Sequence, residues 1–204
     1  MKPVKDMSFL DLGCNIGAFT IPIAKLGRRV IAFDANKENL KMLATSLHLG
    51  GLDQNVTLIW NGISNETKYV HLVPSTNNVG GTKIEQSDMQ SPIDNENNII
   101  TIKLDDMLTQ LGSGPFFMKM DIESHEAMAL RGAVAFFNEI DVRYIMMEWM
   151  HYKDTEDKSE GSFITDFLFK NSFIPCRISD SKELVMEDAY SSWPTDILWI
   201  KKSL

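Results

Sequence analysis

The chain has 204 residues, 44% apolar and 24% charged, which suits one domain with a full core and leaves two domains small. A formal charge of −8 argues against a surface built to coat nucleic acid or an anionic membrane, though a small anionic ligand held by backbone dipoles stays open. Two cysteines, Cys14 and Cys176, make neither a disulfide framework nor a metal cluster, and no apolar run approaches the roughly 18 residues of a membrane span.

Cysteine usage favours a reducing compartment, so a cytoplasmic location is expected. Residues 1–7 lack the apolar core of a signal peptide. The first strand begins so early that an N-terminal region missing from this sequence is an open alternative. The whole of 1–204 reads as one domain without internal repeats.

In chain order, residues 8–12 read as a first strand and 17–26 as a helix, with Pro22 inside its first turns. Residues 29–34 form a second strand closing on Asp34. Asn36 caps a helix over 37–49, with Leu40, Leu43 and Leu47 on one face and Gly50-Gly51 at its end. Residues 56–60 form a third strand, Asn61-Gly62 a polar turn, and 68–73 an alternating edge strand. Residues 74–98 are polar with few apolar anchors and read as a long loop, with 77–82 the best candidate for a substrate lid. A short strand at 99–103 and a short helix at 105–111 follow. The nearly continuous apolar run 116–121 reads as a central parallel strand buried on both faces. A helix over 126–137, a strand at 144–148, a helix at 162–170 and a closing hairpin of 173–178 with 197–201 complete the chain. This β-α alternation predicts an α/β fold, a mostly parallel sheet with one antiparallel member near an edge.

Ligands of open α/β sheets bind beyond the carboxyl ends of the strands. There the sequence places Asp11, Asp34, Asn61, Asp121 with Glu123, and Glu148, which predicts a shared cleft. The turn Asp11-x-Gly13-x-Asn15-x-Gly17 follows the first strand. A dinucleotide fingerprint needs a second glycine where Asn15 stands, which disfavours NAD or FAD. No Gly-Lys-Ser/Thr follows, so a P-loop is absent.

That turn instead resembles motif I of class I S-adenosylmethionine-dependent methyltransferases. Residues 11–20, 30–34, 61–64, 102–107, 118–126 and 130–132, in this order, resemble the FkbM family within that class. The resemblance implies a Rossmann-like seven-stranded sheet with helices on both faces and S-adenosylmethionine as methyl donor. It also implies O-methylation of hydroxyls on sugars or natural products. It assigns Asp11, Gly13, Asn15, Gly17, Asp34, Ala35, Asn61, Gly62 and Asp121 to the cofactor, with Asp34 at the ribose. Glycine is usual where Ser124 stands, and Glu followed by Pro is often found where this chain has Asp34-Ala35.

An alcohol is a poor nucleophile near neutral pH and benefits from a positioned base. Asp121 is the first candidate, then Glu123, then Glu148, because clustered acids raise one another's pKa values. Asp121 and Glu123 would equally suit a divalent cation, which is possible but not favoured. Lys119 either neutralises Asp121 and Glu123 or orients substrate. His125 and His151 are further candidates, and Glu126 suits the first turn of its helix. Cys14, the twelve methionines, Trp149 and Trp193 read mainly as packing, the tryptophans with a sugar-lining alternative. The expected partner is a small-molecule or glycan acceptor, not nucleic acid, with the oligomeric state open. An RNA or protein methyltransferase and a non-catalytic binding module are the alternatives.

Overall fold

A computed structural model describes residues 6–74, 82–89 and 98–202, with backbone alone at 73–74 and 82–89. The elements are β1 (Ser8–Leu12), α1 (Thr20–Lys25), β2 (Val30–Asp34), α2 (Lys37–Leu49), β3 (Val56–Trp60), β4 (Gly62–Ile63), β5 (Tyr69–Pro74), β6 (Thr82–Met89), β7 (Asn98–Ile102), α3 (Leu108–Leu111), β8 (Pro115–Met120), α4 (Glu126–Arg131), α5 (Val134–Glu139), β9 (Asp141–Glu148), α6 (Ser159–Lys170), β10 (Phe173–Arg177) and β11 (Asp196–Lys201).

Seven strands form the main sheet in the order β10-β11-β9-β8-β1-β2-β3. β11 alone is reversed relative to the other six strands, so the expected Rossmann-like architecture is borne out. Strand alternation divides the core. On β1 and β2, Phe9, Val30 and Ala32 face a layer with Leu40, Leu43 and Leu47 of α2. Leu10, Leu12, Ile31 and Phe33 face the opposite layer, with Leu130 of α4, Phe136 of α5 and Ile164 of α6. Both faces being covered, the central strands carry apolar residues at successive positions.

Several boundaries differ from expectation for local reasons. Gly17 has φ +94°, outside the helical region, so it belongs to the turn and α1 starts only at Thr20. The predicted 126–137 helix is two helices, broken at Gly132 and Ala133. A side chain at 132 would meet the Ser64 carbonyl oxygen at 2.2 Å, so glycine lets another backbone segment pass there. Instead of ending in a turn, Gly62 begins β4, which pairs with β7 in a second, four-stranded sheet ordered β4-β7-β5-β6. The stretch read as a continuous loop contains β6, paired antiparallel with β5. Of the predicted lid, Thr82 begins β6 and 77–81 lie outside the described residues. Trp149, Trp193 and Trp199 are fully buried in one aromatic cluster, so packing rather than sugar-lining describes them.

Candidate active site

The cleft is built on the carboxyl ends of β1, β2 and β8. After β1 the amides of Gly13 and Cys14 both donate to the Phe33 carbonyl, at 3.0 and 2.9 Å, which ties the glycine turn to β2. Asn15 adopts φ +50°, and its amide donates to Asp34 Oδ2 at 2.7 Å. Asp34 Oδ1 accepts from the Asn36 amide at 2.7 Å and from Asn39 Nδ2 at 3.4 Å. One carboxylate thus holds both the glycine turn and the start of α2. Burial pushes its pKa up, against the pull of these donors.

Asp11 lies under the turn, fully buried, and accepts from Thr20 Oγ1 at 2.6 Å. Burial raises its pKa as well, opposed by the Lys119 ammonium 3.8 Å from Oδ1. Lys119, also buried, donates to the Gly13 carbonyl at 2.7 Å and pairs with Asp121 at 3.2 Å. The expected neutralisation by Lys119 reaches Asp121 but not Glu123. Instead the chain turns left-handed at Glu123 (φ +56°) and Ser124 (φ +74°), and Glu123 approaches His151. The backbones of the two turns also touch, since a Cβ on Gly13 would sit 1.9 Å from the Asp121 carbonyl oxygen.

Gly13, Asn15, Asp34, Ala35, Asn61, Gly62, Asp121, Glu123, Lys119 and His125 all line a cleft of about 890 Å³ of atom-free space, part of it open to solvent. Asp11 and Gly17 support it from beneath, Gly17 against Leu43 of α2. Glu148 stands behind the wall on β9, where burial and the nearby Asp121 charge raise its pKa to about 7. His125 Nε2 meets Ser64 Oγ at 3.1 Å, and burial holds the imidazole below its ordinary pKa. Burial also pushes the Cys14 thiol up, away from nucleophile chemistry. Among the described residues, no group of three or more His, Cys, Asp or Glu side chains is arranged to hold a metal ion, Asp121 and Glu123 included.

Sequence reasoning missed Phe19, Phe33, Ile63 and Ile122 on the cleft wall, and Ser64 behind His125. For Phe33 and Ile63 a signal existed, since Phe33 precedes Asp34 and Ile63 lies two residues after Asn61. Ser64 meets His125 only through tertiary contact.

The Methyltransferase FkbM domain matches residues 11–175. The chain belongs to the FkbM methyltransferase family. S-adenosylmethionine is the cofactor of the class I methyltransferases to which that family belongs. An FkbM methyltransferase structure from Methylobacillus flagellatus KT superposes with a TM-score of 0.62 at 17% identity, over 98% of this chain and 44% of that one. A ubiquinone biosynthesis O-methyltransferase of Parvibaculum lavamentivorans is 34% identical over 61 residues, 28% of this chain and 23% of that one. A tRNA/tmRNA (uracil-C(5))-methyltransferase of Azotobacter vinelandii is 31% identical over 87 residues, 43% of this chain and 24% of that one. The matched segments thus span about a quarter of those two relatives.

Proposed function

We propose that this FkbM chain transfers a methyl group from S-adenosylmethionine to a hydroxyl of a sugar, glycan or small natural product. The observation that carries the reading is the convergence of the glycine turn, Asp34 and the acids of the β8 end on one cleft. The residues present fit such a cofactor. Asp34 Oδ2 accepts a single hydrogen bond among the described residues, which leaves a lone pair for a ribose hydroxyl. Asn61 and the apolar surfaces of Phe33, Ala35 and Ile63 offer a mixed wall for a nucleoside. Asp11, Asp34 and Asp121 gather around one lysine, and their excess of negative charge favours a cation over a neutral product.

When bound, the cofactor supplies an electrophilic methyl on a positively charged sulfur. The protein's part is placement: the Gly13–Phe33 and Asn15–Asp34 hydrogen bonds fix the turn before ligand arrives. Beyond it, Asp121 and Glu123 on the cleft wall and Glu148 behind it make the acceptor side acidic, where a hydroxyl needs a positioned base. The formal charge of −8 supports a small acceptor over RNA. Calorimetry tests the cofactor half, with S-adenosylmethionine and its demethylated product expected to bind in roughly the micromolar range. Folded protein that binds neither would overturn it. Labelled methyl transfer to a panel of hydroxylated acceptors tests the rest, and transfer to RNA alone would move the acceptor class.

A further inference from the structure

The ends of β8 and β9 are fastened together through a buried pair. Tyr152 Oη donates to Glu126 Oε2, and Glu126 Oε1 accepts the Ile122 amide at 3.0 Å. Glu126 is wholly buried and Tyr152 nearly so. The turn that carries Glu123 and the connection that carries His151 are therefore held as one unit. The left-handed backbone at Glu123 and Ser124, costly for residues other than glycine, is sustained by that frame. It brings Glu123 Oε2 to 3.8 Å from His151 Nε2, while Glu148 Oε2 approaches the same nitrogen at 3.1 Å.

His151 Nε2 is thus buried between two carboxylates. An ionised carboxylate only accepts, so above about pH 7, where Glu148 has lost its proton, a nitrogen held beside it carries the ring proton and leaves the lone pair on Nδ1. Nε2 makes no hydrogen bond of standard geometry among the described residues, so the two carboxylates act on it by charge, and the ring lies beside Glu123 of the cleft wall. The charged and titratable groups around the ring are Glu148, Glu123 and, one layer deeper, Glu126 with Tyr152. Asp121, by contrast, is already engaged by the Lys119 ammonium.

We propose that His151 is the general base for the acceptor hydroxyl, its ring oriented by Glu148 and Glu123. This rests on the methyltransferase reading above. The acceptor oxygen forms its bond to the methyl carbon as the carbon–sulfur bond breaks and that electron pair returns to sulfur. The hydroxyl proton passes to Nδ1, and the two carboxylates at Nε2 stabilise the resulting imidazolium.

Two measurements on the full chain decide it. Nitrogen-15 NMR of histidine-labelled protein without cofactor, with His151 assigned by its disappearance in His151→Gln, is expected to show the Nε2–H tautomer. The Nδ1–H tautomer would overturn the assignment. In methyl transfer, His151→Gln is expected to lower kcat by about 100-fold or more and to erase the acidic limb of the pH profile. The KM for S-adenosylmethionine should stay within about twofold, and imidazole should restore turnover to His151→Gly. Wild-type turnover with an unimpaired His151→Gln and an unchanged acidic limb overturns the assignment and leaves the methyltransferase reading standing. A wild-type chain that binds no cofactor and methylates no hydroxyl overturns both.

Discussion

The two sides of the cleft are made differently. On the β1–β2 side, Asp34 is held by backbone and amide donors, with capacity left on Oδ2, and Asp11 is clamped by Thr20, so geometry is set by local hydrogen bonds. On the β8–β9 side, Glu123 and Glu148 each approach His151 at ion-pair distance, and the backbone at Glu123 and Ser124 is left-handed. The first arrangement is rigid and holds its shape before a ligand binds. The second keeps charges titratable, which proton transfer requires. Binding and chemistry should therefore be separable by mutation.

Damage to the backbone-built side should have the largest effect. At Gly13→Val the new side chain would meet the Asp121 carbonyl, a backbone atom with no room to yield. We expect a loss of more than about 3 kcal/mol in denaturant melts and no cofactor binding by calorimetry. A folded variant with wild-type affinity would show that the two turns need not touch. Next in size is Asp34→Ala, which strips the acceptor from the Asn15 and Asn36 amides. That should cost about 2 kcal/mol of stability and about 100-fold in cofactor affinity, with Asp34→Asn intermediate. Affinity retained in Asp34→Ala would take the ribose role from this residue.

The same contrast explains what the sequence revealed. The β1 turn and Asp34 sit in one local unit of strand, turn and helix, so residue type and spacing expose both the fold and the cofactor side. The central strands were legible because burial on both faces writes itself as a nearly continuous apolar run, as in β8, where only Lys119 interrupts it. Glu148 and His151 were visible only as polar residues near a strand end, since their meeting with Glu123 depends on a left-handed turn more than 20 residues away in sequence. Periodicity does not report such a turn. The small second sheet was hidden for a related reason. Polar β6 gains its identity from pairing with β5 and not from its own pattern.

Tyr152→Phe tests whether the acceptor side can be disturbed alone. It leaves Glu126 Oε2 buried without its donor, an expected cost of about 1–3 kcal/mol. We expect kcat to fall several-fold while cofactor affinity by calorimetry stays within about twofold. An equal loss in both would mean that the two sides are one mechanical unit. Glu148 gives a subtler test through pH. Its pKa rises from 4.5 unfolded to about 7 folded, so between these values the folded chain holds a proton that the unfolded chain has released. Stability contributed by this group therefore declines as pH rises through that window. Glu148→Gln should flatten the profile, with its greatest relative gain above pH 7, as read from denaturant melts at pH 5 and 8. An unchanged slope would assign the titration to another group.

The smallest expected effect is at Ser124, where family resemblance leads one to expect glycine and φ is +74°. A residue with a Cβ costs about 1 kcal/mol in that region, while glycine adds entropy to the unfolded chain and returns part of the gain. Ser124→Gly should therefore stabilise by about 0.5 kcal/mol, a rise of roughly 1–2 °C in Tm by calorimetry. Its value lies in what accompanies the rise. The turn is what aims Glu123 at His151, so relieving the strain loosens that aim without touching the Asp34 side. A higher Tm with a lower kcat and an unchanged cofactor Kd would mean that the strain serves the acceptor side. A lower Tm would mean that the serine side chain itself holds the turn.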